Sequence, residues 1–326
     1  VSTRVTGDQP SQRIETSRFM SGVLEGFTVI FIVIALGYVL AKYKVLGEHG
    51  QFVLSRLVFF VATPALLFVT LAQSDLAVIL SPILVVAGVT ALVVGAIYFL
   101  IAKFLLKRDV PEATIGGLAS SYVNAANLGI PIAVFVLGDA NFVAPLLLFQ
   151  IMVYSPLALT ILDLSTMREK ASIRNIVITP FKNPIVLAGA AGLLLSITGI
   201  ELPESIMQPF DLVGGAAVPG ALLAFGLSLY GARVLQKGPS PRRDVLIAST
   251  LKMVLQPILG FLMALAMGLE GHELFAITVI SALPTAQNVF VFANRYNRGV
   301  VMARDTAFVT TIISIPVIAI ITALLA

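Results

Sequence analysis

Ten apolar runs dominate this chain, beginning near Gly22, Phe52, Val78, Thr114, Phe142, Asn183, Ile206, Val245, Phe275 and Arg304. A helix needs roughly 20 apolar residues to cross the hydrocarbon core of a bilayer, and each run is of that order. Hydrophobic residues make up 58% of the 326 and charged residues 12%, with a mean hydropathy of +0.99. No soluble globular domain of this size has such a composition. The expected fold class is therefore an all-α polytopic membrane protein.

The loops between runs alternate in charge. Lys42 and Lys44 follow run one, Lys103, Lys107 and Arg108 follow run three, and Arg168, Lys170, Arg174 and Lys182 follow run five. Arg233, Lys237, Arg242 and Arg243 follow run seven, and Arg295, Arg298 and Arg304 lie in the last hairpin. The intervening loops carry Asp75, Asp139, Glu201, Glu204, Glu270 and Glu273 without any Lys or Arg. By the positive-inside rule both termini face outward, as expected for a bacterial-type inner (plasma) membrane protein. The net charge of +4 is thus a product of topology, and no nucleic-acid partner is expected. Residues 1–19 are polar, lack a hydrophobic signal region and precede Met20, so they read as a disordered extension or a mis-assigned start.

The two halves resemble each other. Pro64, in the ATPALLF of run two, stands 155 residues before Pro219, in the AVPGALLAF of run seven. Asn127 and Gln287 are 160 apart, as are Pro156 and Pro316. Five crossings per repeat is an odd number, so the second repeat enters from the opposite side. The expectation is ten transmembrane helices in two inverted five-helix repeats, 20–164 and 183–326, joined by a basic cytoplasmic linker at 165–182.

Runs four and nine are interrupted at their centres, by NAANLGIP (124–131) and PTAQN (284–288). Proline removes a backbone donor and crowds the preceding turn, leaving carbonyls unpaired where bulk water is absent. Broken helices at matching positions of two repeats point to a transporter substrate site at the bilayer midplane. Pro131 and Pro284 are each suited to the first position of a half-helix, which would aim two helix N-termini at the centre, a setting that favours an anion. Asn124, Asn127, Gln287 and Asn288 would add neutral donors and acceptors, and Gly129 would allow close backbone approach. The structural alternative is that these amides serve only as interhelical hydrogen-bond partners and the prolines only as kinks.

Four further residues are candidates to line a cavity. Lys252 and Gln256 share one face of run eight, and Gln150 and Tyr154 share one face of run five. For Lys252 the alternative is snorkelling to the basic interface, and for Gln150 and Tyr154 it is core hydrogen bonding. Arg56 and Asp211 read mainly as anchors near the ends of runs two and seven. No HExxH, Walker A sequence or pair of deep carboxylates is present, and there is no cysteine. Catalytic residues, cofactors and metal ligands are accordingly not expected, and a carrier of cations built on buried acids is disfavoured.

Asn124-x4-Gly129-Ile130-Pro131, Ala282-Leu283-Pro284 and the Phe290-Val291-Phe292-Ala293-x-x-Tyr296-Asn297 that follows resemble the auxin efflux carrier family, which includes bacterial malate or malonate permeases. The resemblance runs from about Met20 to the end. It implies ten helices with crossover helices four and nine, an architecture shared with bile-acid-type transporters, a scaffold and a transport domain, and a homodimer. Asn124, Pro131 and Pro284 match the family's crossover positions. The long hydrophilic loop of plant members is absent, and Val289 stands where they often carry a second proline. The expected function is a secondary transporter, by efflux or uniport, of a small organic mono- or dicarboxylate. The alternatives are a sodium- or proton-coupled anion symporter of the bile-acid type and a ligand-sensing or channel-like membrane protein.

Overall fold

A computed structural model describes residues 28–29, 31–73, 82–129, 132–133, 137, 142–166, 183–232, 234–235 and 241–325. Residues 1–19, Pro131 and the linker from 167 to 182 lie outside the described residues. The chain is helical: α1 (Phe31–Lys42), α2 (Gly50–Ala72), α3 (Pro82–Leu105), α4 (Val110–Ser121), α5 (Pro145–Thr166), α6 (Pro184–Thr198), α7 (Glu204–Leu229), α8 (Arg242–Ala266), α9 (Gly271–Ser281), α10 (Gln287–Tyr296) and α11 (Val300–Leu325). Among the described residues six helices, α2, α3, α5, α7, α8 and α11, are long and apolar enough to cross a membrane. Run four is described as the shorter α4, and run nine is split into α9 and α10.

Local sequence chemistry sets the helix starts. Asp109 caps α4 by accepting from the Glu112 amide at 2.8 Å, with Pro111 in the first turn where its missing N–H costs nothing. Asn183 caps α6 in the same way through Ile185, ahead of Pro184. Proline also shapes the helix interiors. Wide π turns at Val58–Ala62, Gln150–Tyr154 and Leu251–Leu255 each end two residues before a proline, Pro64, Pro156 and Pro257. A proline ring crowds the turn before it and donates no hydrogen bond, and a local π widening absorbs both defects without ending the helix. Ala125–Gly129 forms a further such turn, and in sequence it too ends two residues before a proline.

The helices pack as two groups. In the first, α2 lies against α6 and α7, and α1 against α7. Glycines let these backbones touch: a β-carbon at Gly192 of α6 would stand 2.4 Å from the Phe68 carbonyl oxygen, and one at Gly37 of α1 would stand 2.5 Å from that of Leu223. Such small-residue contact replaces the hydrophobic drive that is missing between helices in lipid. In the second group α3, α4, α5, α8, α9 and α11 surround the two breaks. Helix α10 joins the groups, with edge-to-face ring pairs Phe225–Phe290 at 5.7 Å and Phe59–Phe292 at 6.1 Å. A polar contact also bridges them, since Asp163 of α5 accepts from Tyr296 of α10 at 2.8 Å and from Asn183 at the start of α6 at 3.2 Å.

Candidate functional site

Helices α4 and α9 both stop short, and the chain beyond each is extended. The two extended pieces run antiparallel and form the isolated bridge Val123–Thr285. The Asn124 amide donates to the Pro284 carbonyl at 2.8 Å and the Ala286 amide donates to the Tyr122 carbonyl at 3.1 Å. Above this backbone bridge the side chains of Asn124 and Gln287 meet, Nδ2 of Asn124 donating to Oε1 of Gln287 at 2.9 Å, with both residues buried. Two residues 163 positions apart in sequence thus become one buried amide pair.

Neighbouring helices satisfy the groups that the breaks expose, as burial away from water requires. The Val123 amide donates to Oε1 of Gln150 in α5 at 2.7 Å, and the Thr285 amide donates to the Thr310 hydroxyl in α11 at 3.1 Å. Thr285 Oγ1 donates to the Ala119 carbonyl at 2.5 Å. The last carbonyls of the broken helices are met from α8, where Gln256 Nε2 donates to Ser121 and Lys252 Nζ donates to Ser281, each at 3.2 Å. Around the first break Tyr154 pairs with the Ser121 hydroxyl at 2.5 Å, Tyr122 pairs with Ser155 at 2.8 Å, and the two tyrosine rings stack at 5.6 Å.

The expected site residues divide accordingly. Asn124, Pro284 and Gln287 come together at the crossing, and Gln150, Lys252 and Gln256 are buried around it with their polar atoms on its backbone. Asn288 follows Gln287 in the first turn of α10 and is half-buried. Tyr154 lines an apolar recess of about 310 Å³ together with Gly95, Phe99, Thr114, Gly117 and Ile161. The side chain of Asn127 and all of Pro131 lie outside the described residues.

One expectation needs correcting. Pro284 does not open a half-helix: α10 begins three residues later at Gln287, with Ala286 as its N-cap, and Pro284 sits in the extended piece where its carbonyl serves the bridge. Proline suits that conformation equally well, because its fixed φ is also that of extended chain. At Gly129 a β-carbon would stand 3.1 Å from Val143 Cγ1 and 3.2 Å from Leu283 Cδ1, so the glycine lets these side chains close on the turn. The sequence reading also overlooked Thr285, Ser121 and Thr310, and it overlooked that two helix C-termini, at Ser121 and Ser281, converge beside the N-terminus of α10. The spacing of Pro156 and Pro257 carried part of that signal. Each proline sets the π turn that holds Gln150, Tyr154 or Lys252.

A second recess, of about 400 Å³, is polar and lies where α3 and α4 meet α8 and α11, lined by Tyr98, Arg108, Glu112, Asp244 and Asn297. Arg108 grips the buried Asp244 carboxylate with two bonds, at 2.8 and 2.9 Å. That hydrogen bonding raises the Arg108 pKa further above its ordinary value. Both residues are engaged with each other, so this recess braces the core at the ends of its helices.

Comparison with known proteins gives the chain a family. Residues 23–322 match the family described as Membrane transport protein. A protein of Rhizobium meliloti named "Putative malonate transporter" is 28% identical over 301 residues, covering 90% of this chain and 91% of its own. An uncharacterised transporter of Methanocaldococcus jannaschii is 24% identical over 305 residues, 89% of this chain and 95% of its own. The uncharacterised transporter YfdV of Escherichia coli is 24% identical over 277 residues, 82% and 86% respectively. With a match along nearly its whole length, the chain is an integral membrane protein that belongs to the membrane transport protein family.

Proposed function

We propose that this protein is a secondary carrier of a small organic anion, a mono- or dicarboxylate, which binds where the two broken helices cross. The observation that carries this reading is the buried Asn124–Gln287 amide pair on the Val123–Thr285 bridge, at the N-terminus of α10. A helix N-terminus offers several backbone donors without intrahelical acceptors and about half a positive elementary charge. Neutral amides beside it can hold a carboxylate without trapping it as a buried arginine would. Half-buried Asn288 gives the site an edge from which a small solute can approach. A dicarboxylate is also the cargo that the name of the Rhizobium meliloti relative specifies, in that case malonate.

On this reading the chain crosses the membrane ten times in two inverted five-helix repeats, with both termini outside, and works as a homodimer in a bacterial-type inner membrane. Paired bonds around the crossing support the repeat. Gln150 on Val123 and Thr310 on Thr285 occupy corresponding places in α5 and α11, as do the two backbone bonds of the bridge. The group α1, α2, α6 and α7 would serve as scaffold while the rest moves, with the aromatic contacts of α10 as the sliding surface. Export is the natural direction for an uncoupled anion. An inside-negative potential of 100 mV supplies about 2.3 kcal/mol per charge, a gradient of roughly 50-fold.

Counterflow in proteoliposomes tests the proposal. Vesicles loaded with unlabelled malonate should transiently accumulate labelled malonate through the wild-type protein and not through Asn124→Ala. A wild-type protein that shows no counterflow across malonate, malate, succinate and indole-acetate would sink the carrier reading.

A further inference from the structure

Lys252 occupies the π turn of α8 and is fully buried, the largest charged side chain to be so. Its Nζ donates to the carbonyl of Ser281, the last residue of α9, and among the described residues it forms no ion pair. Four residues on, Gln256 donates to the carbonyl of Ser121, the last residue of α4. One face of α8 therefore covers the C-terminal ends of both broken helices. Each such end carries about half a negative elementary charge on its unpaired carbonyls. Two more oxygens on these residues, Oε1 of Gln256 and Oγ of Ser281, are buried and accept no hydrogen bond among the described residues. The two residues are 1% and 2% exposed, so water does not serve them from outside.

Carbonyl, hydroxyl and amide oxygens at the C-terminal ends of broken helices are the donor set with which carriers hold a small monovalent cation. Here an amine on a four-carbon tether stands on one of them, the Ser281 carbonyl, next to the Gln256 that holds the other helix end. We propose that the Lys252 ammonium is a built-in cation that neutralises the converging ends of α4 and α9, so that transport requires no inorganic cation. Removing the amine leaves an oxygen-lined site that takes a small monovalent cation from solution. The transport half of this proposal rests on reading the crossing as the carrier site, whereas the stability half does not. Lys252 is in this view a positioning residue, acting on substrate through the backbone it holds.

The experiment compares wild type, Lys252→Ala and Lys252→Met, purified in detergent and reconstituted, in sodium, ethylammonium, tetramethylammonium or choline chloride. Wild type should show the same unfolding temperature and the same counterflow in all four salts. Lys252→Ala should unfold several degrees lower in choline and recover, saturably, with ethylammonium or sodium but not with tetramethylammonium, which is too large for the vacated space. Its counterflow should follow the same order. Lys252→Met fills the space with an apolar chain and should lose counterflow without rescue by any cation. Should Lys252→Ala be recoverable only when purified in ethylammonium, that dependence is the same rescue and supports the proposal. A Lys252→Met protein as stable and active as wild type would overturn it, as would a Lys252→Ala protein indifferent to cations or a wild type that needs sodium. Absence of counterflow in every form, with the cation rescue of stability intact, would instead strike the transport reading alone.

Discussion

The first break, after α4, and the second, after α9, share a backbone pattern and differ in the groups that hold it. In both, an extended piece of chain gives one amide to the opposite strand and another to a side chain of a neighbouring helix. At the first break that side chain is the Gln150 amide, and the freed carbonyl of Ser121 is met by the neutral Gln256. At the second the partner is the Thr310 hydroxyl, and the freed carbonyl of Ser281 is met by Lys252. Two tyrosines, Tyr122 and Tyr154, stack beside the first break, while the second leads directly into α10. Backbone geometry is thus common to the two halves, and among the described residues an amine closes the second break where a neutral amide closes the first. An anion drawn to the N-terminus of α10 meets one break closed by amides and one closed by an amine and hydroxyls. That asymmetry can orient a substrate that a symmetric pair of breaks would leave free to turn.

Removing the contact that joins the halves should have the largest effect. Asn124→Ala and Gln287→Ala should each lower counterflow by about 100-fold or more, the scale expected when a positioning group is lost from a reacting or binding centre. Membrane insertion should remain intact, and the double variant should be little worse than either single one, because the two residues act as one unit. If Asn124→Ala is silent and Gln287→Ala is not, the site belongs to α10 alone and the comparison between breaks fails.

The next test concerns stability and asks whether the breaks are equivalent. Gln150→Leu strips the Val123 amide of its acceptor, and Thr310→Val strips the Thr285 amide. A buried amide left without a partner costs about 1–3 kcal/mol, so each variant should unfold at a lower temperature by a similar amount. A harmless Thr310→Val would mean that the second break is held by Lys252 and Thr285 instead.

Much of this was legible in the sequence because membrane folding is dictated by local quantities. Run length and charge alternation anticipated helices beginning at Gly50, Val110, Pro184, Glu204, Arg242, Gly271 and Val300 to within four residues. The interruptions at 124 and 284 were visible because polar residues and proline are costly within apolar helices, and Asn124 and Gln287 do meet. What stayed hidden depends on tertiary placement. Pro284 fits the first turn of a helix and an extended strand equally, so its φ preference cannot say which one it occupies. The approach of Lys252 to Ser281 and of Gln256 to Ser121 spans 29 and 135 positions and is fixed by how α8 packs. No local pattern encodes that. Helix ends were read as donors only, so the carbonyl ends of α4 and α9 went unweighed.

The smallest effect expected comes from a glycine pair that repeats the comparison in miniature. Gly95 of α3 faces the end of α4, where a β-carbon would stand 2.4 Å from the Tyr154 hydroxyl and 2.9 Å from the Ser121 hydroxyl. Gly260 of α8 faces the end of α9, where a β-carbon would stand 2.4 Å from the Ser281 hydroxyl and 2.9 Å from Ser281 Cβ. The crowding is alike, yet the groups displaced are not. Tyr154 and Ser121 hydrogen-bond each other, so Gly95→Ala must break a buried bond, worth about 0.5–1.5 kcal/mol, or move a ring. The Ser281 hydroxyl has no hydrogen-bond partner among the described residues and can rotate away, so that only the contact with Ser281 Cβ must be relieved by a small shift between α8 and α9. Replacing a helical glycine by alanine also gains about 0.5–1 kcal/mol. Gly260→Ala should therefore lose less stability than Gly95→Ala, and adding Ser281→Ala, which removes the hydroxyl and keeps Cβ, should leave its unfolding temperature unchanged or slightly higher. A double variant markedly less stable than Gly260→Ala alone would show that the Ser281 hydroxyl has work to do at the second break, and the cation site around Lys252 is where that work would lie.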